Sequence, residues 1–261
     1  MRLLPMIAAL GGVLSGIFSL GTVGHQAMAQ DQPRREPAAQ QRLVAVLELY
    51  TSQGCSSCPA ADALLQKYTQ RSGIVALTFP VDIWDYLGWR DSLANPKFTA
   101  RQKYYAKHRG DGRVYTPQVV VNGVSHVVGS SAHDIDEAIA ATAHKLAKIN
   151  VPVTARIEAG RLVVEAGPAA PGSEAKDATI WLCIVKSKVE VAVRGGENNG
   201  KTLAYYNVVR EMTPVGMWSG KPLDIRLDLD TVKLPDSDRA VVLIQFGKAG
   251  PILGAAMVPK I

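Results

Sequence analysis

The sequence predicts an α/β domain followed by an all-β antiparallel sandwich domain. Residues 43–149 alternate between apolar, β-rich runs and segments in which apolar residues recur with helical spacing. Residues 151–261 contain only short β-rich runs, separated by loops rich in Gly, Pro and Asp. Because Pro152 lies where the pattern changes, we expect domains at residues 42–150 and 151–261.

Composition and charge favour a globular protein. The chain has 261 residues, of which 47% are hydrophobic and 20% are charged. The net charge of +6 comes from Lys and Arg residues that are scattered along the chain without a long basic run. We therefore expect no nucleic acid among the partners of this protein.

The N-terminal residues 1–29 are typical of a cleaved signal peptide. Arg2 precedes an apolar stretch from Ile7 to Val23, and Ala27-Met28-Ala29 forms an A-x-A cleavage site. The alternative is a single membrane anchor, since the apolar stretch is nearly long enough to span a bilayer. The Gly and Ser content favours cleavage, followed by a flexible leader at residues 30–41. This predicts a periplasmic or secreted protein without a stable membrane anchor.

A pair of cysteines lies where the first predicted strand turns into the first predicted helix. The strand covers Leu43–Tyr50, and apolar residues with helical spacing begin after Pro59. Cys55 and Cys58 are thus close enough to form a short disulfide ring. The unpaired N–H groups of a helical first turn favour the thiolate form of a nearby cysteine.

The remaining elements of the first domain follow from local signals. An Asn-Gly turn between two β-rich runs predicts a hairpin, and a capping box at Ser131 predicts the start of a helix. The predicted elements are a strand at Ile74–Val81, an ordered loop at Asp82–Asp91, a helix at Pro96–His108, hairpin strands at Val114–Val121 and Val124–Val128, and a helix ending at Ile149.

The second domain is predicted to contain strands alone. No stretch after Asn150 has convincing helical periodicity. The predicted strands are Val153–Ile157, Leu162–Ala166, Thr179–Lys186, Val189–Val193, Thr202–Met212, Leu223–Leu229 and Ala240–Phe246.

Several long motifs resemble those of a known family. ELYTSQGCSSCP, DYLGWRD, FTARQ, YTPQVVVNG and RGGENNGKTLAYYNVVRE are similar to segments of bacterial secreted thioredoxin-like proteins, whose family carries only a label of unknown function. The resemblance implies a thioredoxin-like first domain and export. It also implies that Pro117 follows a cis peptide bond and packs against the cysteine pair, while Thr116 offers backbone groups to an extended substrate.

The residue types favour thiol–disulfide exchange with a protein or a small thiol or disulfide. Cys55 is the expected nucleophile, and Cys58 is the expected resolving thiol. Ser56 and Ser57 bring no charge, so we expect a moderate redox potential. No cofactor is predicted, and neither the direction of the reaction nor the oligomeric state follows from the sequence.

Aromatic and acidic residues after the second strand are candidates for supporting roles. Trp84, Tyr86 and Trp89 are predicted to line a substrate groove, although such a cluster is equally typical of a core. Asp82 is a candidate proton acceptor for Cys58, and the alternative is an aspartate that caps a loop.

Two other functions stay open. The first is copper binding by the cysteine pair with a histidine as third ligand; the candidates are His108, His126 and His133. The second is an adaptor in which Cys55 and Cys58 form a permanent disulfide and the β region binds a partner. Four polar residues of that region are candidates for recognising a partner or anchoring the two domains, and the alternative is an ordinary hairpin turn. They are Arg194, Glu197, Asn198 and Asn207. Cys183, in an apolar run, is predicted to be buried and inert.

Overall fold

A computed structural model describes residues 43–173 and 175–261. The predicted signal peptide and leader lie outside these residues. No helix within them is both long and apolar enough to cross a membrane. The elements up to residue 149 are β1 (Ala45–Thr51), α1 (Cys58–Thr69), β2 (Ile74–Pro80), α2 (Pro96–Arg109), β3 (Gln118–Val121), β4 (Ser125–Val128) and α3 (Ala132–Ile149).

Strands dominate the rest of the described chain. Two of them are unusually long, with 15 and 17 residues, and they pair with each other as a hairpin. The elements are β5 (Val153–Glu158), β6 (Arg161–Ala166), β7 (Ala178–Ala192), β8 (Thr202–Trp218), β9 (Leu223–Asp228), a one-turn helix α4 (Leu229–Val232), β10 (Arg239–Phe246) and β11 (Ile252–Val258).

The prediction of an α/β thioredoxin-like domain followed by an all-β sandwich domain is wrong. Eight strands from both halves form one mixed sheet in the order β11-β10-β7-β8-β2-β1-β3-β4, and β5-β6-β9 form a separate three-stranded sheet. The two halves meet where β8 runs parallel to β2, with Thr78 opposite Val208. The described fold is therefore mostly β, with few helices.

Side-chain hydrogen bonds reinforce the junction between β2 and β8. The Thr78 hydroxyl donates to the carbonyl of Tyr206 at 2.7 Å, and Asn207 Nδ2 donates to the carbonyl of Ala76 at 3.0 Å. Asn207 has a positive φ of 47°, a conformation that asparagine tolerates better than most residues. Periodicity identifies strands but does not say which edges pair, so the sequence did not reveal this junction.

Helices and the small sheet cover the large sheet. α1 and α3 pack on one face through residues such as Leu65 and Ile135. α2 packs on the other face, where Phe98 and Tyr105 join a core that extends to β7 and β10. The small sheet buries Leu162 and Val164 against that same C-terminal part of the large sheet.

A network of polar side chains is enclosed in the core beneath α2. Glu48 on β1 accepts two hydrogen bonds of 2.8 Å from Arg101, and it also accepts from the hydroxyls of Tyr50 and Tyr105. Gln245 on β10 donates to Tyr105 Oη at 2.7 Å. The network therefore links β1, α2 and β10 in a region where an unpaired charge would be costly.

Individual elements were predicted more accurately than their arrangement. The strands, helices and Asn-Gly hairpin of the first half were confirmed with small shifts at their ends, except that β3 begins at Gln118, four residues later than predicted. In the second half, the strands expected at Thr179–Lys186 and Val189–Val193 are one strand, β7. β11 and the one-turn helix α4 were not predicted.

Candidate functional site

Cys55 and Cys58 form a disulfide at the N-terminus of α1. Their Cα atoms are 5.4 Å apart, and a turn between them is closed by a hydrogen bond from Cys58 N to the carbonyl of Cys55. α1 begins at Cys58, Pro59 occupies its first turn, and Ser57 makes no side-chain capping bond. The pair thus lies where the helix dipole favours a thiolate, as the sequence predicted.

The two sulfur-bearing residues are covered, whereas the residues between them are exposed. Cys55 is 4% exposed and Cys58 is fully buried, but Ser56 and Ser57 face solvent. The exposed part of this turn is therefore the Ser56–Ser57 pair, and Ser57 Oγ lies 3.5 Å from Cys55 Sγ.

The backbone before the disulfide is held by the loop that follows β2. Asp91 accepts a hydrogen bond of 2.8 Å from the backbone N–H of Gln53, and Trp89 Nε1 donates to Gln53 Oε1 at 2.8 Å. Burial raises the pKa of the Asp91 carboxyl, although its backbone hydrogen bonds oppose that shift. These contacts fix the turn that leads into Cys55.

Thr116 and Pro117 lie beside the same turn. The peptide bond between them is cis, as the resemblance implied. Pro117 is buried, and Gly129 separates it from Ala61 on α1. A Cβ atom added to Gly129 would lie 3.2 Å from the Cβ atoms of both Pro117 and Ala61, so the three residues pack closely. The hydroxyl of Thr116 accepts a hydrogen bond of 2.7 Å from Trp84 Nε1.

Of the three aromatic candidates, Trp84 and Trp89 contact the residues just before Cys55, and Tyr86 packs on Trp84. Trp84 lies against Gly54, where an added Cβ would be 2.9 Å from Trp84 Cβ, and its ring centre is 6.1 Å from that of Tyr86. Tyr86 is 75% exposed, whereas Trp84 and Trp89 are half-buried. Of the three, Tyr86 is thus the most exposed, while the two tryptophans donate hydrogen bonds to Thr116 and Gln53.

A loop from the second half contacts the turn directly. The loop Arg194–Gly200, which connects β7 to β8, places Glu197 so that its carboxylate accepts a hydrogen bond of 3.1 Å from Ser56 N. Asn198 is fully buried, and its Nδ2 donates at 2.9 Å to the carbonyls of both Gln53 and Cys55. The four polar candidates therefore do not form one patch, since Asn207 lies at the β2–β8 junction.

The buried acid nearest in sequence to the disulfide is Asp62, which sequence reasoning missed. It lies one helical turn after Cys58 and is 3% exposed, and neither carboxylate oxygen has a hydrogen-bond partner among the described residues. Burial raises the pKa of the Asp62 carboxyl well above its ordinary value. The nearby Thr51 hydroxyl lowers that pKa in part, although the two side chains do not form a hydrogen bond of good geometry. A cleft of about 210 Å³ between α1 and β8 has Asp62 in its wall.

The other candidates lie in ordinary structural environments. Asp82 accepts a hydrogen bond from the Thr99 hydroxyl in the first turn of α2, so its carboxylate connects the loop to that helix. Cys183 is fully buried, as predicted, and burial raises the pKa of its thiol to about 12. It is therefore an inert core residue.

The three candidate histidines bond to groups other than the cysteines or are exposed. His126 bonds to Tyr115 and Asp111, His133 pairs with Glu137, and His108 is exposed on α2. Among the described residues, the only group of three potential ligands with atoms within 4.8 Å is His133, Asp134 and Glu137, all on the first turns of α3. Among the described residues, Cys55 and Cys58 form no such group with a histidine or a carboxylate.

The chain belongs to a family described as "protein of unknown function (DUF1223)", whose model matches residues 46–245. Among solved structures it is similar to protein AGR_C_4864 from Agrobacterium tumefaciens, with 32% identity and a TM-score of 0.74 over 84% of this chain and 96% of that chain. HBP35 of Porphyromonas gingivalis shares the fold at 12% identity, with a TM-score of 0.56 over 86% of this chain and 77% of the other. No curated protein matches the chain.

Proposed function

We propose that this protein exchanges thiols and disulfides through Cys55 and Cys58. The observation that carries the proposal is the disulfide at the N-terminus of α1, where helix N–H groups stabilise a thiolate. The neighbouring Thr116–Pro117 segment and the exposed ring of Tyr86 support binding of an extended or apolar substrate. The substrate class is a protein or a small thiol or disulfide.

The exchange has two balanced steps. In the reducing direction, the Cys55 thiolate attacks one substrate sulfur, forms a mixed disulfide and releases the other substrate sulfur as a thiolate, which takes up a proton. Cys58 then loses its proton and attacks Cys55 Sγ, which frees the second substrate thiol and closes the Cys55–Cys58 bond. The substrate gains two electrons and two protons, which the protein dithiol loses, and the reverse sequence oxidises a substrate dithiol.

We also propose a relationship to the thioredoxin-like superfamily and export to the periplasm or the medium. The element order β1-α1-β2-α2-β3-β4-α3, with its cysteine pair and cis-proline, supports the relationship. In this protein the strands of that segment are part of the larger eight-stranded sheet. The signal-peptide pattern of residues 1–29 supports export. The Cys55–Cys58 disulfide supports it as well, because disulfides persist in oxidising compartments.

A structural disulfide in a non-catalytic adaptor is the second candidate. It is favoured by the coverage of Cys55 and Cys58, since a sulfur that no substrate can reach does not turn over. The two functions make opposite predictions for the same experiment, because only an exchanging pair forms a mixed disulfide with an added thiol.

The test follows mixed-disulfide formation and turnover in the full chain. Wild type should catalyse insulin reduction by dithiothreitol or oxidation of reduced ribonuclease. Cys55→Ser should abolish this activity, and Cys58→Ser should trap a glutathione adduct at Cys55, visible by mass spectrometry. Cys183→Ser, which changes the buried free thiol, is the matched control and should retain activity. If Cys58→Ser forms no adduct and wild type is inactive in both assays, the disulfide is structural.

A further inference from the structure

The loop Arg194–Gly200 makes specific packing contacts and hydrogen bonds with the residues around the disulfide. Gly195 packs so closely on the loop after β2 that an added Cβ would lie 2.9 Å from the Gly88 carbonyl oxygen. Asn198 bonds to two carbonyls of the cysteine turn from a fully buried position. These contacts hold the exposed carboxylate of Glu197 against Ser56 N.

We propose that Glu197 is a positioning residue that makes the Cys55–Cys58 pair more reducing by disfavouring the Cys55 thiolate. This inference rests on the proposed exchange function and names a determinant of its redox potential. Glu197 acts on the thiolate in two ways. It occupies the N–H of Ser56, one residue from Cys55, and it places a negative charge beside the N-terminus of α1.

The direction of the effect follows from the charge balance at the turn. A thiolate that forms at Cys55 is repelled by a carboxylate already present there, and it competes with that carboxylate for backbone donors. Since the hydrogen bonds from Ser56 lower the pKa of Glu197, the carboxylate is ionised at neutral pH. Disfavouring the thiolate destabilises the dithiol form relative to the disulfide, which lowers the potential.

Three other charged groups bond to the turn or to its supporting loop, or lie on α1. Asp91 bonds to Gln53 N, Asp62 lies behind Cys58 on α1, and Lys201 donates a hydrogen bond of 2.9 Å to Asn198 Oδ1. The two aspartates are buried with raised pKa values, and Lys201 partly offsets the charge of the loop. Glu197 is the carboxylate that directly contacts the exposed side of the cysteine turn.

The first measurement is the thiol pKa of Cys55, taken from the pH dependence of its alkylation in a Cys58→Ser background. Adding Glu197→Gln, which retains an acceptor for Ser56 N but removes the charge, should lower this pKa by about 0.5 to 1 unit. Glu197→Asp should restore most of the wild-type value. Glu190→Gln, on the exposed surface of β7, removes the same charge elsewhere on the hairpin and should leave the pKa unchanged.

The second measurement is the equilibrium with glutathione, in which the protein disulfide and two glutathione thiols give the protein dithiol and one glutathione disulfide. At a pH near the thiol pKa or above it, Glu197→Gln should raise this equilibrium constant by about three- to tenfold, or about 15 to 30 mV. The difference should shrink in about 1 M salt, because salt screens an exposed charge but would not remove a purely structural effect.

The outcomes separate this inference from the proposed function. A lower thiol pKa and a higher potential for Glu197→Gln, with Glu190→Gln unchanged, support the role of Glu197. If wild type exchanges reversibly with glutathione but Glu197→Gln matches it, the role of Glu197 is overturned and the exchange function stands. A wild-type disulfide that glutathione and dithiothreitol both fail to open would overturn both.

Discussion

Two buried carboxylates, Glu48 and Asp62, differ in whether they have hydrogen-bond partners. Glu48, beneath α2, is paired with Arg101 and bonded to two tyrosine hydroxyls. Asp62, on α1 beside the disulfide, has no hydrogen-bond partner among the described residues. Thr51 Oγ1 and Tyr205 Oη are also buried without partners among the described residues. Burial raises the pKa of Tyr205, and the charge of Asp62 adds to that shift.

The difference indicates that the two regions serve different purposes. Buried polar groups usually have hydrogen-bond partners, because an unmet donor or acceptor costs about 1–3 kcal/mol. In the Glu48 network the carboxylate, the Arg101 guanidinium and the tyrosine hydroxyls meet this requirement, although Gln245 Oε1 has no partner among the described residues. The network joins three elements of the core. The region beside the disulfide does not meet the requirement, and such unfavourable groups are typical of sites where chemistry, rather than stability, determines the residue.

The largest expected effect comes from breaking the ion pair at the centre of the Glu48 network. Glu48→Gln leaves the buried guanidinium of Arg101 without a counter-charge, so we expect it to lower the free energy of unfolding by about 3–5 kcal/mol. Chemical denaturation measures this value. The control is Asp136→Asn, which breaks the exposed pair with Arg71 and should cost less than about 1 kcal/mol. Equal losses in the two variants would contradict a structural role for the Glu48 network.

A matched pair of tyrosine substitutions compares the two regions directly. Tyr105→Phe removes a hydroxyl that bonds to Glu48, Arg101 and Gln245, so we expect a loss of about 1.5–3 kcal/mol. Tyr205→Phe removes a buried hydroxyl without a partner, so stability should stay unchanged or rise slightly. Denaturation of both variants under the same conditions checks the contrast, and a larger loss for Tyr205→Phe would reverse it.

The smallest expected effect is a pH-dependent gain at Asp62. Burial raises its pKa in the folded state, so folding loses stability as the pH rises from the unfolded value of about 3.9 through the folded value. Asp62→Asn removes this loss and should stabilise the protein by about 1 kcal/mol or more near pH 8.

The same difference should vanish below about pH 3.5, where the aspartate is protonated in both states. Asp91, whose pKa is also raised, is present in both proteins, and its charge interacts with that of Asp62, so the comparison measures Asp62 together with this interaction. A stability difference that does not change with pH would show that Asp62 does not titrate as its burial implies.

Local patterns of the sequence were sufficient for the elements and for the centre of the site. The apolar run before Cys55 and the helical spacing after Pro59 place the cysteine pair at a strand-to-helix junction, and the Asn-Gly turn gives the β3–β4 hairpin. These features depend on residues close together in the chain, where periodicity and turn chemistry act directly. Asp62 follows the same helix, but only its surroundings reveal that it is buried without a partner.

The tertiary structure alone decided how the halves combine and what surrounds the disulfide. Glu197 reaches Ser56 across 141 residues of chain, and β8 joins β2 through the single pairing of Thr78 with Val208. Such contacts leave no periodic signal, because they depend on which strand edges and loops meet after folding. The sequence by itself therefore determined the thiol pair and its place at a helix N-terminus. Which charged residues lie beside that pair depends on contacts between segments that are far apart in the chain.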